Sequence, residues 1–216
     1  MRNLVEYNTD WKKLFKAESK NIKKNIGKNC ASVVHIGSTA IKGALSVPVI
    51  DMMLLIKDDN LKEITCAILE DMGYIENGNV FLKETTDISY SLRLLNMKNE
   101  DECVKYTSIV RYLENNKDSL VKYNEKKREV YAITDEEKYV EERKFFFDDL
   151  QVKAMNWYKE QEHIAECISI GMCLGMSIGL LFFDSLTSGM MLGVLAGYFI
   201  GKYGDKEIDF KFGKKK

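Results

Sequence analysis

The residues able to do chemistry gather in one short stretch, His35-Ile36-Gly37-Ser38-Thr39, followed by Val49-Ile50-Asp51. A glycine lets backbone approach a ligand closely, and a following Ser or Thr adds a hydroxyl. Amides that open a helix are unpaired donors at its positive end, the arrangement a phosphate group needs. A carboxylate on the adjoining strand offers an oxygen ligand to a hard cation such as Mg²⁺. Gly37, Ser38 and Thr39 as a phosphate-holding turn, with Asp51 as metal ligand and catalytic carboxylate, thus form the parts that nucleotidyl transfer from a nucleoside triphosphate requires. Arg93 and Lys127 are the cations expected to draw phosphate toward them, with Lys42 and Arg143 as further candidates. His35, on an apolar strand, reads as a hydrogen-bonded core or rim residue. With His35 and His163 the only histidines, a multi-histidine metal centre is excluded, so any metal is held by oxygen.

Positioning these residues takes a strand, a turn and a second strand. "CASVVHIG" is a β-branched run ending at Gly37, Thr39 to Leu45 reads as a short helix, and Pro48 opens the strand "VIDMMLLI". Before them, Asn8 or Thr9 caps a helix marked by Trp11, Leu14, Phe15 and Ile22. After them, Leu61, Ile64, Ile68, Leu69 and Met72 make a helical stripe that stops at Gly73. "NVFLKE" and "ISYSLRLL" read as antiparallel strands joined by a turn at Thr85-Thr86-Asp87. Residues 101–160 are helical, with breaks near Asn115-Asn116 and Thr134-Asp135. Strands first and helices after define an α+β domain over residues 1–160.

The motif resembles that of the nucleotidyltransferase superfamily, a Gly-Ser pair followed by an Asp-x-Asp/Glu strand. More narrowly it resembles the GrpB family, in His35-Ile36-Gly37-Ser38-Thr39, Ile41-Lys42-Gly43-Ala44-Leu45 and Val47-Pro48-Val49-Ile50-Asp51. The likeness extends to "LVEYNTDWKKLFKAE", to "YLENNKDSLVKYNEKKRE" and to "YVEERKFFFDDL", where Arg143 stands in place of a usual lysine. The resemblance implies a nucleotidyltransferase-like mixed sheet flanked by helices, with Mg²⁺ and a nucleoside triphosphate as ligands and an unidentified acceptor. Three departures stand out. Met53 occupies the place of a second carboxylate, Ser91-Leu92-Arg93 the place of His-Leu-His, and Val110-Arg111 the place of Arg-Asp. Glu84 and Asp87 are the nearest alternative carboxylates by strand position.

After His163 the composition changes. Charge is nearly absent from Cys167 to Gly201, and glycine recurs every fourth residue at 171, 175 and 179 and again at 189, 193, 197 and 201. Each glycine costs a soluble helix about 1 kcal/mol relative to alanine, whereas in lipid such a stripe lets two helices approach closely. The pattern predicts a two-helix hydrophobic glycine-zipper hairpin over 161–203, entering a membrane through 164–203, its zipper faces meeting each other or a copy in a homo-oligomer. Asp184, Ser185 and Ser188 fit the turn and cap between the helices. A lysine-rich tail at 204–216, with Lys153 and Lys159 before the hairpin and no positive charge in "DSLTS", places both ends and the soluble domain on the cytoplasmic side.

A formal net charge of −1 over 216 residues gives no strong case for a nucleic-acid partner. Five cysteines without a C-x-x-C pair, and an amino-terminal stretch without an apolar core, fit a reducing compartment. Two functions are open on these residues. One is a membrane-tethered nucleotidyltransferase, and the other a non-catalytic nucleotide-binding or scaffold protein that self-associates through its glycine-rich helices.

Overall fold

A computed structural model describes residues 3–212 apart from Asn79, Asp87 and Phe183, with side chains described as far as Tyr203. The expectations placed on Asp87 and on the charges of the 204–216 tail lie outside the described residues. Two compact units divide the chain, Met1–Met155 and Asn156–Lys216.

The first unit is built on five strands: β1 (Cys30–Ile36), β2 (Val49–Ile56), β3 (Ile75–Asn77), β4 (Val80–Glu84) and β5 (Ser89–Asn96). Their spatial order is β1-β2-β5-β4-β3. The β2–β5 pair is parallel and the other pairs are antiparallel, so the sheet is mixed. Helices are α1 (Asp10–Ile26), α2 (Lys62–Asp71), α3 (Glu100–Asn115), α4 (Lys117–Tyr131) and α5 (Glu136–Phe182).

Alternation along the strands sends each sheet face into a different environment. Val33, Ile50, Met52, Leu54, Phe81, Tyr90 and Leu92 form a buried cluster with Trp11, Ile22 and Ile26 of α1 and Leu69 of α2. The opposite parity carries Asp51, Ser91 and Arg93 toward the side where α3, α4 and α5 lie. Those helices have their own cluster, in which Leu113, Tyr123, Val130, Tyr139, Phe146 and Leu150 close over Ile41 and Ala44. The sheet therefore separates an apolar layer from a layer that can hold polar groups.

The expected helix from Thr39 to Leu45 is instead a single 3₁₀ turn, Ser38–Ala40, followed by an irregular loop. Gly43 sits at φ 87, outside helical space. The loop's backbone groups find partners on α4 in place of intrahelical ones. Asn124 donates to the Gly43 carbonyl at 2.9 Å and accepts from the Leu45 amide at 2.8 Å, and Lys127 donates to the Leu45 carbonyl at 2.9 Å.

The second unit contains the C-terminal part of α5 and α6 (Leu186–Phe212). Ser185 caps α6, its hydroxyl accepting from the Ser188 amide at 3.3 Å. All seven glycines face the backbone of the other helix. A methyl at Gly193 would overlap the Gly171 carbonyl and lie 2.8 Å from the Gly175 Cα, and one at Gly201 would lie 2.8 Å from the Ile164 Cα. The two glycine faces thus meet each other. Ile170, Leu174, Leu181, Phe182, Leu192, Leu195, Phe199 and Ile200 remain exposed. Among the described residues one helix, α5, is long and apolar enough by length and composition to cross a membrane; 11% of its apolar window is buried.

Candidate functional site

Strand register assembles the site. Asp51 lies opposite Ile36, the residue before Gly37, on one side and opposite Ser91 on the other. Gly37 adopts φ 70 and ψ −173, a region essentially closed to other residues. A Cβ there would collide with the Asp51 carboxylate and stand 2.9 Å from its Cβ. The close approach of turn and carboxylate therefore needs glycine, for its backbone angles and for space.

These residues open into a cavity of about 570 Å³, within the usual range for small-ligand pockets. The sheet and turn contribute Gly37, Ser38, Asp51, Ser91 and Arg93, α3 contributes Lys105 and Tyr106, α4 contributes Tyr123, Lys127 and Tyr131, and α5 contributes Arg143 and Phe147. Among the described lining residues, four cations surround one carboxylate. Among the described residues, none of the four forms an ion pair. Three lie over aromatic rings instead: Arg93 is 4.9 Å from the Tyr106 centroid, Arg143 is 5.4 Å from Phe147, and Lys127 is 5.2 and 5.6 Å from Tyr123 and Tyr131.

The electrostatics follow from this packing. Burial pushes the Asp51 carboxyl up to about 6, against a hydrogen bond from Ser91 and the charges of Arg93, Lys127 and Arg143. Burial lowers the Lys127 ammonium to about 8, with Asp51 opposing that shift and Arg143 adding to it. Lys127 is 3% exposed and also donates to the Tyr123 hydroxyl at 3.0 Å. Burial raises the Tyr123 phenol, against the opposing effects of Ser38 and Arg143.

Of the residues singled out in the sequence, Gly37, Ser38, Asp51, Arg93 and Lys127 line this one cavity, as does the further candidate Arg143. Thr39 does not reach it. Fully buried, its hydroxyl donates to the Val49 carbonyl at 3.1 Å and meets His35 Nε2 at 3.1 Å. Since that hydroxyl proton goes to Val49, His35 Nε2 is the donor in the second bond, which sets the tautomer. His35 stacks on Phe15 at 4.6 Å, and burial lowers its imidazole to about 4. It is a half-buried, hydrogen-bonded histidine behind the turn. Lys42 is exposed and Glu84 is exposed, and neither lines the cavity. Lys105, Tyr106, Tyr123, Tyr131 and Phe147 were not legible as site residues, because their helices read in sequence only as packing stripes.

A resident Mg²⁺ requires octahedral oxygen ligation, usually one or two carboxylates with substrate phosphates and water. Asp51 is the one carboxylate lining the cavity among the described residues, and cations act on it. Met53, on the same strand face two residues on, is 1% exposed and outside the lining. No group of three or more His, Cys, Asp or Glu able to hold a metal occurs among the described residues. One carboxylate among four cations does not fit a Mg²⁺ held by the protein's own side chains. The 3₁₀ turn likewise does not supply the helix amides expected of a phosphate cradle, so the positive charge at the site comes from side chains.

A five-stranded mixed sheet with helices on both faces and a Gly-Ser turn against a strand aspartate defines the class of protein. The family model for GrpB protein matches residues 2–153, and the chain belongs to the GrpB family. It is 37% identical over 71 residues to the UPF0157 protein BH1888 of Halalkalibacterium halodurans, a match that spans 33% of this chain and about a third (36%) of that relative. It is 27% identical over 162 residues to the glutamate-rich protein GrpB of Alkalihalophilus pseudofirmus, covering 68% of this chain and 92% of that protein. The crystal structure of conserved protein GrpB from Enterococcus faecalis superposes with a TM-score of 0.63 at 21% identity, over 72% of this chain and 99% of that one, a likeness of fold.

Proposed function

We propose that the first unit binds a nucleoside phosphate in the cavity between the sheet and α3, α4 and α5. One observation carries the reading: four cations without ion-pair partners among the described residues, and four aromatic rings, line a single small-ligand cavity around the Gly-Ser turn. Arginine and lysine supply charge-assisted donors to phosphate oxygens, and an aromatic face can receive a base. Transfer of a nucleotidyl group to an acceptor is the enzymatic extension of this reading. Met53, buried where a second carboxylate would stand, favours the alternative of a protein that binds nucleotide without turning it over. Isothermal titration of the full chain with ATP, GTP, CTP and UTP tests the reading. Saturable binding that Arg93→Ala and Arg143→Ala both weaken is expected. No heat and no competition with any of the four nucleotides would remove it. Pyrophosphate release with a candidate acceptor would separate the enzyme from the binder.

The second unit is proposed to insert in a membrane as a glycine-zipper hairpin, with both ends on the cytoplasmic side. Supporting this are the glycine-to-glycine contact and exposed apolar side chains such as Leu181 and Phe182, 79% and 76% accessible. A water-soluble helix pair would hide such residues. Alkaline carbonate extraction of membranes should leave the chain in the pellet, and release into the supernatant would contradict insertion.

A further inference from the structure

We infer that the cavity recognises the phosphate groups of its ligand without a divalent cation, with Asp51 serving as the internal counter-ion that a phosphate displaces. This rests on the nucleoside-phosphate reading above. Three features point the same way. First, cationic residues already stand where a metal would neutralise phosphate oxygens: Arg93 from β5, Lys105 from α3, Lys127 from α4 and Arg143 from α5 approach from four separate elements. A site enclosed by cations repels a further cation and attracts an anion.

Second, those cations are held in place by contacts that leave their charge unneutralised. Arg93, Lys127 and Arg143 lie over rings at 4.9 to 5.6 Å, and none of the four cations pairs with a carboxylate among the described residues. Rings fix the two arginines and spare their N–H groups for a ligand, while Lys127, which already donates to the Leu45 carbonyl and the Tyr123 hydroxyl, keeps its charge and a third N–H. A cavity that holds a hard cation on its own gathers several oxygen ligands instead.

Third, Asp51 is placed as a counter-ion and not as a ligand. It stands opposite Ser91 in the sheet and lines the same cavity as Arg93, Lys127 and Arg143, whose charges act on its carboxylate, while the companion position Met53 is apolar and sealed. In the empty cavity the carboxylate tempers the cations. Once a phosphate arrives, the two anions compete for the same charges, and the carboxylate opposes binding. Removing its charge should therefore strengthen phosphate binding, whereas removing a metal ligand should abolish it. The two roles predict opposite signs for one substitution.

The experiment titrates the full chain with ATP and with inorganic tripolyphosphate, in EDTA and in excess Mg²⁺, for the wild type, Asp51→Asn and Arg143→Gln. Expected are binding in EDTA, equal or weaker binding when Mg²⁺ covers the phosphates, and a gain of at least about 5-fold in Asp51→Asn from the loss of one nearby like charge. Arg143, exposed on α5, can be changed with little risk to folding, and Arg143→Gln should weaken binding about 10-fold. Binding that requires Mg²⁺ and vanishes in Asp51→Asn, with Arg143→Gln still competent, would overturn this inference while leaving the nucleoside-phosphate reading intact. Absence of binding in both EDTA and Mg²⁺ would remove the reading itself. Should Asp51→Asn fail to fold, the EDTA and Arg143→Gln arms decide.

Discussion

Raising the pH from 4 to 6 acts on two groups behind and beside the Gly-Ser turn with opposite signs. His35 is lowered by burial from 6.5 to about 4. Between those values the unfolded chain carries the proton and the folded chain does not, so stability rises with pH. Asp51 is raised by burial from 3.8 to about 6. Between those values the folded chain holds the proton that the unfolded chain has lost, so stability falls with pH. Each shift is a little over two pKa units, or roughly 3 kcal/mol at full separation, and the two nearly cancel in the wild type. Single substitutions unmask them. Relative to wild type, Asp51→Asn should lose about 3 kcal/mol as pH falls from 6.5 to 4, and His35→Gln should lose a similar amount as pH rises from 4 to 6. Urea transitions read at buried Trp11, in a Trp157→Phe background, report the α+β unit. Difference curves without slope, or slopes of the reverse sign, would refute the placement of these two groups.

Three further outcomes follow from the packing. Gly37→Ala should cost about 1–3 kcal/mol from its backbone angles alone, and more as the added methyl pushes Asp51 aside, seen as a lower urea midpoint at unchanged slope. Asn124→Ala leaves the Gly43 carbonyl and the Leu45 amide without their α4 partner and should cost about 1–3 kcal/mol, with weaker nucleotide binding in the same titration. Gly193→Leu drives a side chain into the Gly171 carbonyl and should separate α5 from α6, lowering the melting temperature of the helical signal in detergent.

Much of the first unit was legible because local pattern and tertiary role agree there. β-branched runs mark β1 and β2, Gly73 closes the stretch after α2, and Asn116 and the residues around Thr134 break the later helices. The strand β3 was not legible: it is three residues long and exposed, with no alternation to read. Residues 39–45 read as helix because their composition permits one. Their actual partners, Asn124 and Lys127, lie some eighty positions away, and nothing local announces them. The carboxylate and the glycine turn stood out since their types are rare in an apolar run. Arg143 stood out only as a further candidate cation, and Lys105, Tyr106 and Phe147 did not stand out, because they sit at ordinary surface and packing positions of a helix. Only the register of Asp51 against Ser91, and the face that this gives Arg93, brings them together.

The most direct test of the nucleotide pocket is a crystal structure of the full chain with a non-hydrolysable triphosphate analogue. Phosphate oxygens within hydrogen-bond distance of Arg93, Lys127 and Arg143, with the base against Tyr106 or Phe147, are the predicted result. An empty cavity at saturating analogue, or the analogue bound elsewhere on the chain, would contradict it.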